Sequence, residues 1–304
     1  MTLPQIFLSS EDVSKPSIAA LITCYNRRDK TLACLEALSQ QQDIQCEIYL
    51  TDDGSSDGTA AAVKERYPEV KLLAGDGSLF WVGGMRKAFA AAMDAGYDYY
   101  LWLNDDSNLF ADTVSQLVKT HQTLAANNVE EAIVIGSLQD AATGVLTYGG
   151  VVRANSWHPL KFQLLTPGDE PKPCVTMNGN CVLIPHSVAV KVGNLEPQFI
   201  HRHADYDYGL RALQLGCSVW VAPGYAGTCS RNPKSGSWED TDLPLSQLWK
   251  QVTGPKGLAP QEWQLFARRH AGPLWYFYWL LPYVRVMGAS LWRKLRIGRI
   301  AGAS

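Results

Sequence analysis

SIAALITCYNRRDKTLACLEALSQQQDIQCEIYLTDDGSSDGT, residues 17–59, decides the architecture. Residues 17–23 form a short apolar run of the kind carried by strands buried on both faces. Residues 29–40 set Leu32, Leu35 and Leu38 at helical spacing, and residues 47–51 return to a strand-like run. The rhythm continues with a helix over 57–67, a strand over 70–74, a helix over 84–95 and a strand over 97–103. Such a βαβαβαβ series predicts a parallel sheet flanked by helices, with ligands outside the carboxyl ends of the strands. Polar clusters lie at those ends: Thr23-Cys24-Tyr25-Asn26, Asp52-Asp53-Gly54-Ser55, Gly75-Asp76-Gly77 and Asn104-Asp105-Asp106.

Beyond residue 110 the pattern loosens. Residues 132–138, 144–151, 174–177 and 181–184 read as strands with Gly and Asn breaks, so the sheet is expected to become mixed. A helix is expected over 205–215 and a strand over 218–222. The expected division is one α/β domain over 1–255 and an aromatic, basic helical tail over 256–304. No acid follows Glu262, whereas Arg268, Arg269, Arg285, Arg293, Lys294, Arg296 and Arg299 do. Within the tail, residues 275–283 (WYFYWLLPY) are too short to span a bilayer. Beside bases, they suit either an interfacial helix on an anionic leaflet or a face packed on the domain or in a homodimer.

The 304 residues are 46% hydrophobic and 18% charged, a globular composition. A net charge of −2 argues against a nucleic-acid partner, which needs a strongly basic face. Seven cysteines form no CxxC pair and no zinc spacing, as suits a reducing compartment. The first 15 residues carry acids where a signal peptide has bases, so a cytoplasmic location is expected, peripheral on the membrane if the tail binds there.

The strand-end clusters carry chemistry. A turn cap needs one carboxylate, and the pair Asp52-Asp53 leaves another to accept from a pyrimidine N3–H or a ribose hydroxyl. In residues 75–86 (GDGSLFWVGGMR) the glycines allow backbone to approach a ligand, and Gly83-Gly84 would open a helix toward a diphosphate. Asn104-Asp105-Asp106 offers oxygen ligands to a hard cation, or simply an acidic turn before the next helix. Asp205 and Asp207 are two apart, so one is available as a general base while the other serves a helix start. Asn178-Gly179-Asn180 is a hairpin signal, and its amides can read sugar hydroxyls.

In order and spacing these segments resemble family-2 glycosyltransferases with the GT-A fold, over roughly residues 16–215. The carriers are ITCYNR with TDDGSSDGT, a GDGSLFWVGGMR stretch like that of bacterial polysaccharide and rhamnosyltransferase-like members, NDD in place of DxD, and ADYDYGLR in place of E-D-x-D-x-x-x-R. The resemblance implies a Rossmann-like mixed sheet with a nucleotide-binding half of about 16–110 and an acceptor half of about 111–255. It implies that Asp52 holds the donor base, that Asp53 stands where the family often has Asn, and that Thr23 and Tyr25 frame base and ribose. Arg27, Gly83 and Arg86, with Asn104 and Asp105, would complete the donor site, and Asp106 would hold Mg²⁺ or Mn²⁺. Asp205 matches the base, and Asp207 and Arg211 the residues after it. Ala204 stands at the Glu position, a gap that His203 would fill. Asn178, Gly179 and Asn180 would line donor sugar and acceptor, and Cys229 stands where relatives carry a metal-binding His.

The implied activity is inverting transfer from a UDP- or dTDP-linked sugar to a surface-glycan or lipid-linked acceptor. Two other classes share parts of the pattern. A sugar nucleotidyltransferase would need a Gly-rich loop after the first strand, which ITCYNRRD lacks. A non-catalytic nucleotide-sugar or glycan-binding subunit would keep the pocket without turnover.

Overall fold

The computed structural model describes residues 15–231, 235–238, 240 and 243–301, with the course of the backbone alone over 289–301. The start of the chain and the side chains of Arg293, Lys294, Arg296 and Arg299 therefore lie outside the described residues. The first half runs β1 (Ile18–Cys24), α1 (Arg28–Ser39), β2 (Glu47–Asp52), α2 (Thr59–Arg66), β3 (Lys71–Ala74), α3 (Phe80–Ala95) and β4 (Tyr99–Leu103). Then come β5 (Asn108–Leu109), α4 (Thr113–Ala126), β6 (Ala132–Gln139), β7 (Leu146–Tyr148), β8 (Gly150–Arg153), β9 (Phe162–Leu164), β10 (Lys172–Pro173), β11 (Thr176–Met177) and β12 (Cys181–Pro185). The chain continues with α5 (His186–Val192), α6 (Ala204–Gln214), β13 (Ser218–Thr228), α7 (Leu245–Thr253), α8 (Pro260–His270), a short 3₁₀ turn and α9 (Trp275–Ala301).

The large sheet has the order β10-β13-β6-β12-β4-β1-β2-β3, with β5 on β13 and β7 on β6. Strands β3, β2, β1 and β4 are mutually parallel, and β12 enters antiparallel between β4 and β6. The sheet is therefore mixed, as its second half predicted. A separate small sheet holds β11, β8 and β9. Every residue of β1 is buried, and alternate residues serve opposite faces. Ala19 and Leu21 join α3, α6 and α8 on one side, while Ile18, Ala20 and Ile22 meet α1, α2 and α4 on the other.

Two local expectations fail for physical reasons. Helix α3 begins at Phe80, so Gly83 and Gly84 lie inside it rather than at its start. A Cβ on Gly84 would collide with the Thr23 hydroxyl, so this glycine permits close helix–strand packing. Nor is Asn178-Gly179 a hairpin turn. Strand β11 pairs with β8 while β12 pairs with β4 and β6, so these residues cross between the two sheets. Helix α8 is part of the body of the protein, burying Trp263, Phe266 and Ala267 in the core. Among the described residues, no helix is long and apolar enough to cross a membrane.

Candidate active site

The carboxyl ends of β1, β2 and β4 open on one cleft of about 360 Å³. Its walls include Thr23, Tyr25 and Arg27 from the first loop, Asp53 from the second, Phe80 and Trp81 from α3, and Asn104, Asp105 and Asp106 from the loop after β4. Gly179, Asn180, His201, Asp205, Tyr148 and Lys256 close it from the other half. The loops are tied to one another by hydrogen bonds. Asn26, at φ 51°, accepts the Ser56 N–H at 2.7 Å through Oδ1 and donates its own N–H to Ser55 Oγ at 2.9 Å. Asp57 accepts the N–H groups of Arg28 (3.0 Å) and Thr59 (3.1 Å), and the Thr59 hydroxyl and these bonds hold its carboxyl below the ordinary range.

The aspartate pair divides its work differently from expectation. Asp52 Oδ1 accepts the Ser55 N–H at 2.9 Å, and this buried side chain does not line the cleft. Asp53 does. Its Oδ1 accepts the N–H groups of Gly77 (2.9 Å) and Leu79 (3.2 Å), and its Oδ2 that of Phe80 (2.9 Å). Asp53 thus fastens the loop before α3 and takes up N–H groups at that helix start.

The loop after β4 concentrates charge. Arg27 meets Asp105 at 2.9 Å and also pairs with Asp106, which Lys30 approaches at 3.8 Å. Burial pushes the Asp105 carboxyl up to about 7; Arg27 opposes that rise and Asp106 adds to it. Asp105 Oδ2 is buried without a hydrogen-bond partner. Cys229 donates its thiol to Asp106 Oδ1 at 3.5 Å, and burial followed by the Asp106 charge raises that thiol to about 12. Among the described residues, no three His, Cys, Asp or Glu side chains gather as a metal cage.

The fourth wall carries Asp205, in the first turn of α6. Its Oδ2 accepts the Gly179 N–H at 3.0 Å and its Oδ1 the Tyr206 N–H at 2.8 Å. Burial still raises its carboxyl above the ordinary value, because desolvation of the anion outweighs those two bonds. Trp81 joins both sides. Its indole N–H donates to Asn104 Oδ1 at 2.7 Å, and a Cβ on Gly179 would lie 2.7 Å from its ring. Only glycine lets the crossover lie this close to the tryptophan.

Several expected residues lie elsewhere. The Arg86 guanidinium donates to the Leu195 carbonyl at 3.0 Å. Fully buried Asp207 pairs with Arg211 (2.8 Å), Arg269 (3.2 Å) and His270 (2.9 Å), which clips α6 to α8. His203 packs against the rings of Trp263 and Phe266, with centroids 5.1 and 5.0 Å away. Asn178 Oδ1 accepts the Gly149 N–H at 3.3 Å and lines a neighbouring recess. Asn180 keeps a place in the cleft, and its carbonyl accepts from Asn104 N and Ser107 Oγ. Tyr148, His201 and Lys256 also line the cleft. Tyr148 and Lys256 carried no motif; His201 stood beside one, with nothing to separate it from His203.

Two solved structures share this architecture. A mannosyltransferase from Pyrobaculum calidifontis, in complex with GDP-Man and Mn²⁺, superposes with a TM-score of 0.56 at 14% identity, over 96% of this chain and 77% of its own. GalNAc-T7 with UDP, GalNAc and Mn²⁺ superposes with a TM-score of 0.55 at 14% identity, over 72% of this chain and 45% of its own. The fold is GT-A. By sequence, the N-acetylglucosaminyl-diphospho-decaprenol L-rhamnosyltransferases of two Mycobacterium tuberculosis strains, CDC 1551 and H37Rv, are each 26% identical over 214 residues, 62% of this chain. The match spans 66% of those relatives' length, just under two thirds. The family model for glycosyl transferase family 2 matches residues 19–177, from β1 to β11, and the chain belongs to that family.

Proposed function

We propose that the protein is an inverting glycosyltransferase that moves a hexosyl or deoxyhexosyl group from a nucleotide-diphosphate donor to an acceptor hydroxyl. The observation that carries this reading is the shared wall of Trp81, which bonds Asn104 beside the acidic pair and packs on Gly179, the donor to Asp205. A charge-handling group and a proton acceptor thereby face one cavity. Thr23, Tyr25 and Asp53 frame the nucleotide end, with Asp52 behind them. The UDP and dTDP series are the donors to test first, since the curated relatives transfer L-rhamnose.

Asp205 takes the proton of the acceptor hydroxyl as the oxygen attacks the anomeric carbon from the face opposite the departing diphosphate. Its raised affinity for protons suits this, and the Gly179 and Tyr206 N–H groups fix both of its oxygens. Asp106, with the unpartnered oxygen of Asp105, forms a two-carboxylate donor set that fits Mg²⁺ or Mn²⁺ when phosphate oxygens complete the shell. Held there, the ion would neutralise charge on the leaving diphosphate. Arg27 and Lys30 hold those carboxylates in position and add positive charge at the same place.

The acceptor proposed is a lipid-linked precursor of a surface glycan: lipopolysaccharide, capsule or exopolysaccharide. Leu274, Phe277, Leu280, Val284 and Met287 are exposed near and along α9, on a segment without acids, which supports peripheral contact with an anionic leaflet; a homodimer through the same face is the alternative. Flotation with phosphatidylglycerol vesicles separates the two.

The central test uses purified protein, a panel of UDP- and dTDP-sugars and Mn²⁺ or Mg²⁺. Donor hydrolysis or transfer is expected, with an inverted anomeric configuration in the product. Asp205→Asn should lower turnover by about 10²–10⁴ while donor binding persists. Undiminished turnover in that variant removes the base assignment, and no turnover with any donor leaves a binding subunit.

A further inference from the structure

Beside the donor cleft lies a second recess of about 830 Å³, which shares Arg27, Tyr148, His201 and Lys256 with it. Lys30, Arg202 and Arg231 add to its wall, so five cationic side chains line one space. Among the described residues, no Asp or Glu lines it. Arg27 and Lys30 are engaged with Asp105 and Asp106 on the side toward the cleft. On the far side Arg231 is held by an uncharged group. Arg231 donates through Nε and Nη2 to the Thr147 carbonyl, each at 3.2 Å, and Arg202 lies 4.6 Å over the Trp238 ring. Exposed Lys256 has no carboxylate partner among the described residues. The charges of Arg231 and Lys256, with no carboxylate partner among the described residues, suit an anionic ligand.

The position of the recess says which ligand. Tyr206 and Asn178 line it, and each adjoins a residue of the cleft wall, Asp205 and Gly179. A molecule seated there adjoins the wall that carries the proton acceptor. We propose that the recess binds the phosphate or diphosphate through which the acceptor sugar is attached to its carrier, with Arg231 and Lys256 as the principal contacts. This rests on the glycosyltransferase reading and deepens it. The acceptor is a sugar bearing an anionic linker, and the enzyme reads that linker as well as the sugar. Arg231 and Lys256 act as specificity residues remote from the bond being made.

The test uses the full chain with UDP or dTDP saturating the donor cleft and inorganic pyrophosphate as probe. Calorimetry should record one saturable, salt-sensitive event, weakened about tenfold in Arg231→Gln and in Lys256→Gln and partly restored in Arg231→Lys. A second arm compares a sugar linked through diphosphate to a short alkyl chain with the same sugar as an alkyl glycoside. In Arg231→Gln the KM for the first should rise about tenfold and that for the second less than twofold. No pyrophosphate binding with the nucleotide site filled, or an equal loss with both acceptors, overturns the proposal. So does displacement of pyrophosphate by phosphatidylglycerol vesicles as effective as by the diphosphate-linked sugar, which would make the recess a head-group site. Loss of donor hydrolysis in the unmodified protein would instead remove the enzymatic reading itself.

Discussion

The two sides of the cleft are built by different means. On the side proposed for the nucleotide, Asn26, Asp53 and Asp57 accept backbone N–H groups no more than 30 residues away and hold neighbouring loops at the ends of a parallel sheet. On the acceptor side, the element carrying Asp205 is held from more than 50 residues away. Asp207 is clipped to Arg269 and His270 of α8, and Glu262 of α8 accepts the N–H groups of Ile200 (3.0 Å) and His201 (3.4 Å). The wall proposed for the donor therefore depends on its own loops, whereas the wall that carries Asp205 depends on the C-terminal helices.

Breaking the long-range clip should have the larger effect on stability. Asp207→Ala leaves Arg211 and Arg269 without their buried counter-charge and His270 without its hydrogen-bond partner, and a loss of about 3–5 kcal/mol is expected in chemical denaturation. The sharper expectation is where the damage falls. Hydrogen exchange should rise in α6 and α8 while β1 to β4 stay protected; uniform loss of protection would show that the two sides form one cooperative unit.

The corresponding change on the donor side is Asp53→Ala. Three N–H groups lose a charged acceptor, so about 2–4 kcal/mol should be lost. Here the nucleotide should bind more weakly, because the loop from Gly75 to Phe80 loses its anchor. Isothermal titration with the donor checks this, and an unchanged Kd would mean that the loop holds its shape without Asp53.

This division also explains what was legible in the sequence. Residues 17–103 could be read because strands buried on both faces are uniformly apolar and the polar residues at their ends stand out. Asp52 and Asp53 could be located as a pair, but nothing local tells which carboxylate binds the turn and which faces the cleft. Gly83-Gly84 reads as a helix start, because a glycine needed for contact with Thr23, as Gly84 is, resembles one needed for a ligand. Asp207 and Arg211 have the i, i+4 spacing of a helical ion pair, yet the other partners of Asp207 lie about sixty residues on, beyond any local pattern. Lys256 and Arg231 carry no motif at all; their meaning comes only from the recess they share.

The smallest expected effect is a difference in sign with pH. All six histidines lie after residue 120, and two of them, His201 and His203, shortly precede Asp205. Burial holds His201 at about 4 and His203 well below the ordinary imidazole value, with nearby cations adding to it. Both are thus neutral when folded but take up protons when unfolded, near pH 6.5. Their contribution to stability is full above that pH and falls as pH drops through it, by up to about 1.4 kcal/mol per unit for each. Asp105, on the donor side, goes the other way. With its folded value near 7 and its unfolded value near 3.9, it binds a proton preferentially when folded, so acidification from 7 toward 4 favours the native state. Lowering the pH from 7 to 5.5 should therefore loosen α6 and α8 before β1 to β4 in hydrogen exchange. His203→Phe should reduce that acid sensitivity and Asp105→Asn should not. Equal loosening on both sides would mean that the histidines do not set the acid response, and that the distant clip, rather than local protonation, governs how the catalytic wall opens.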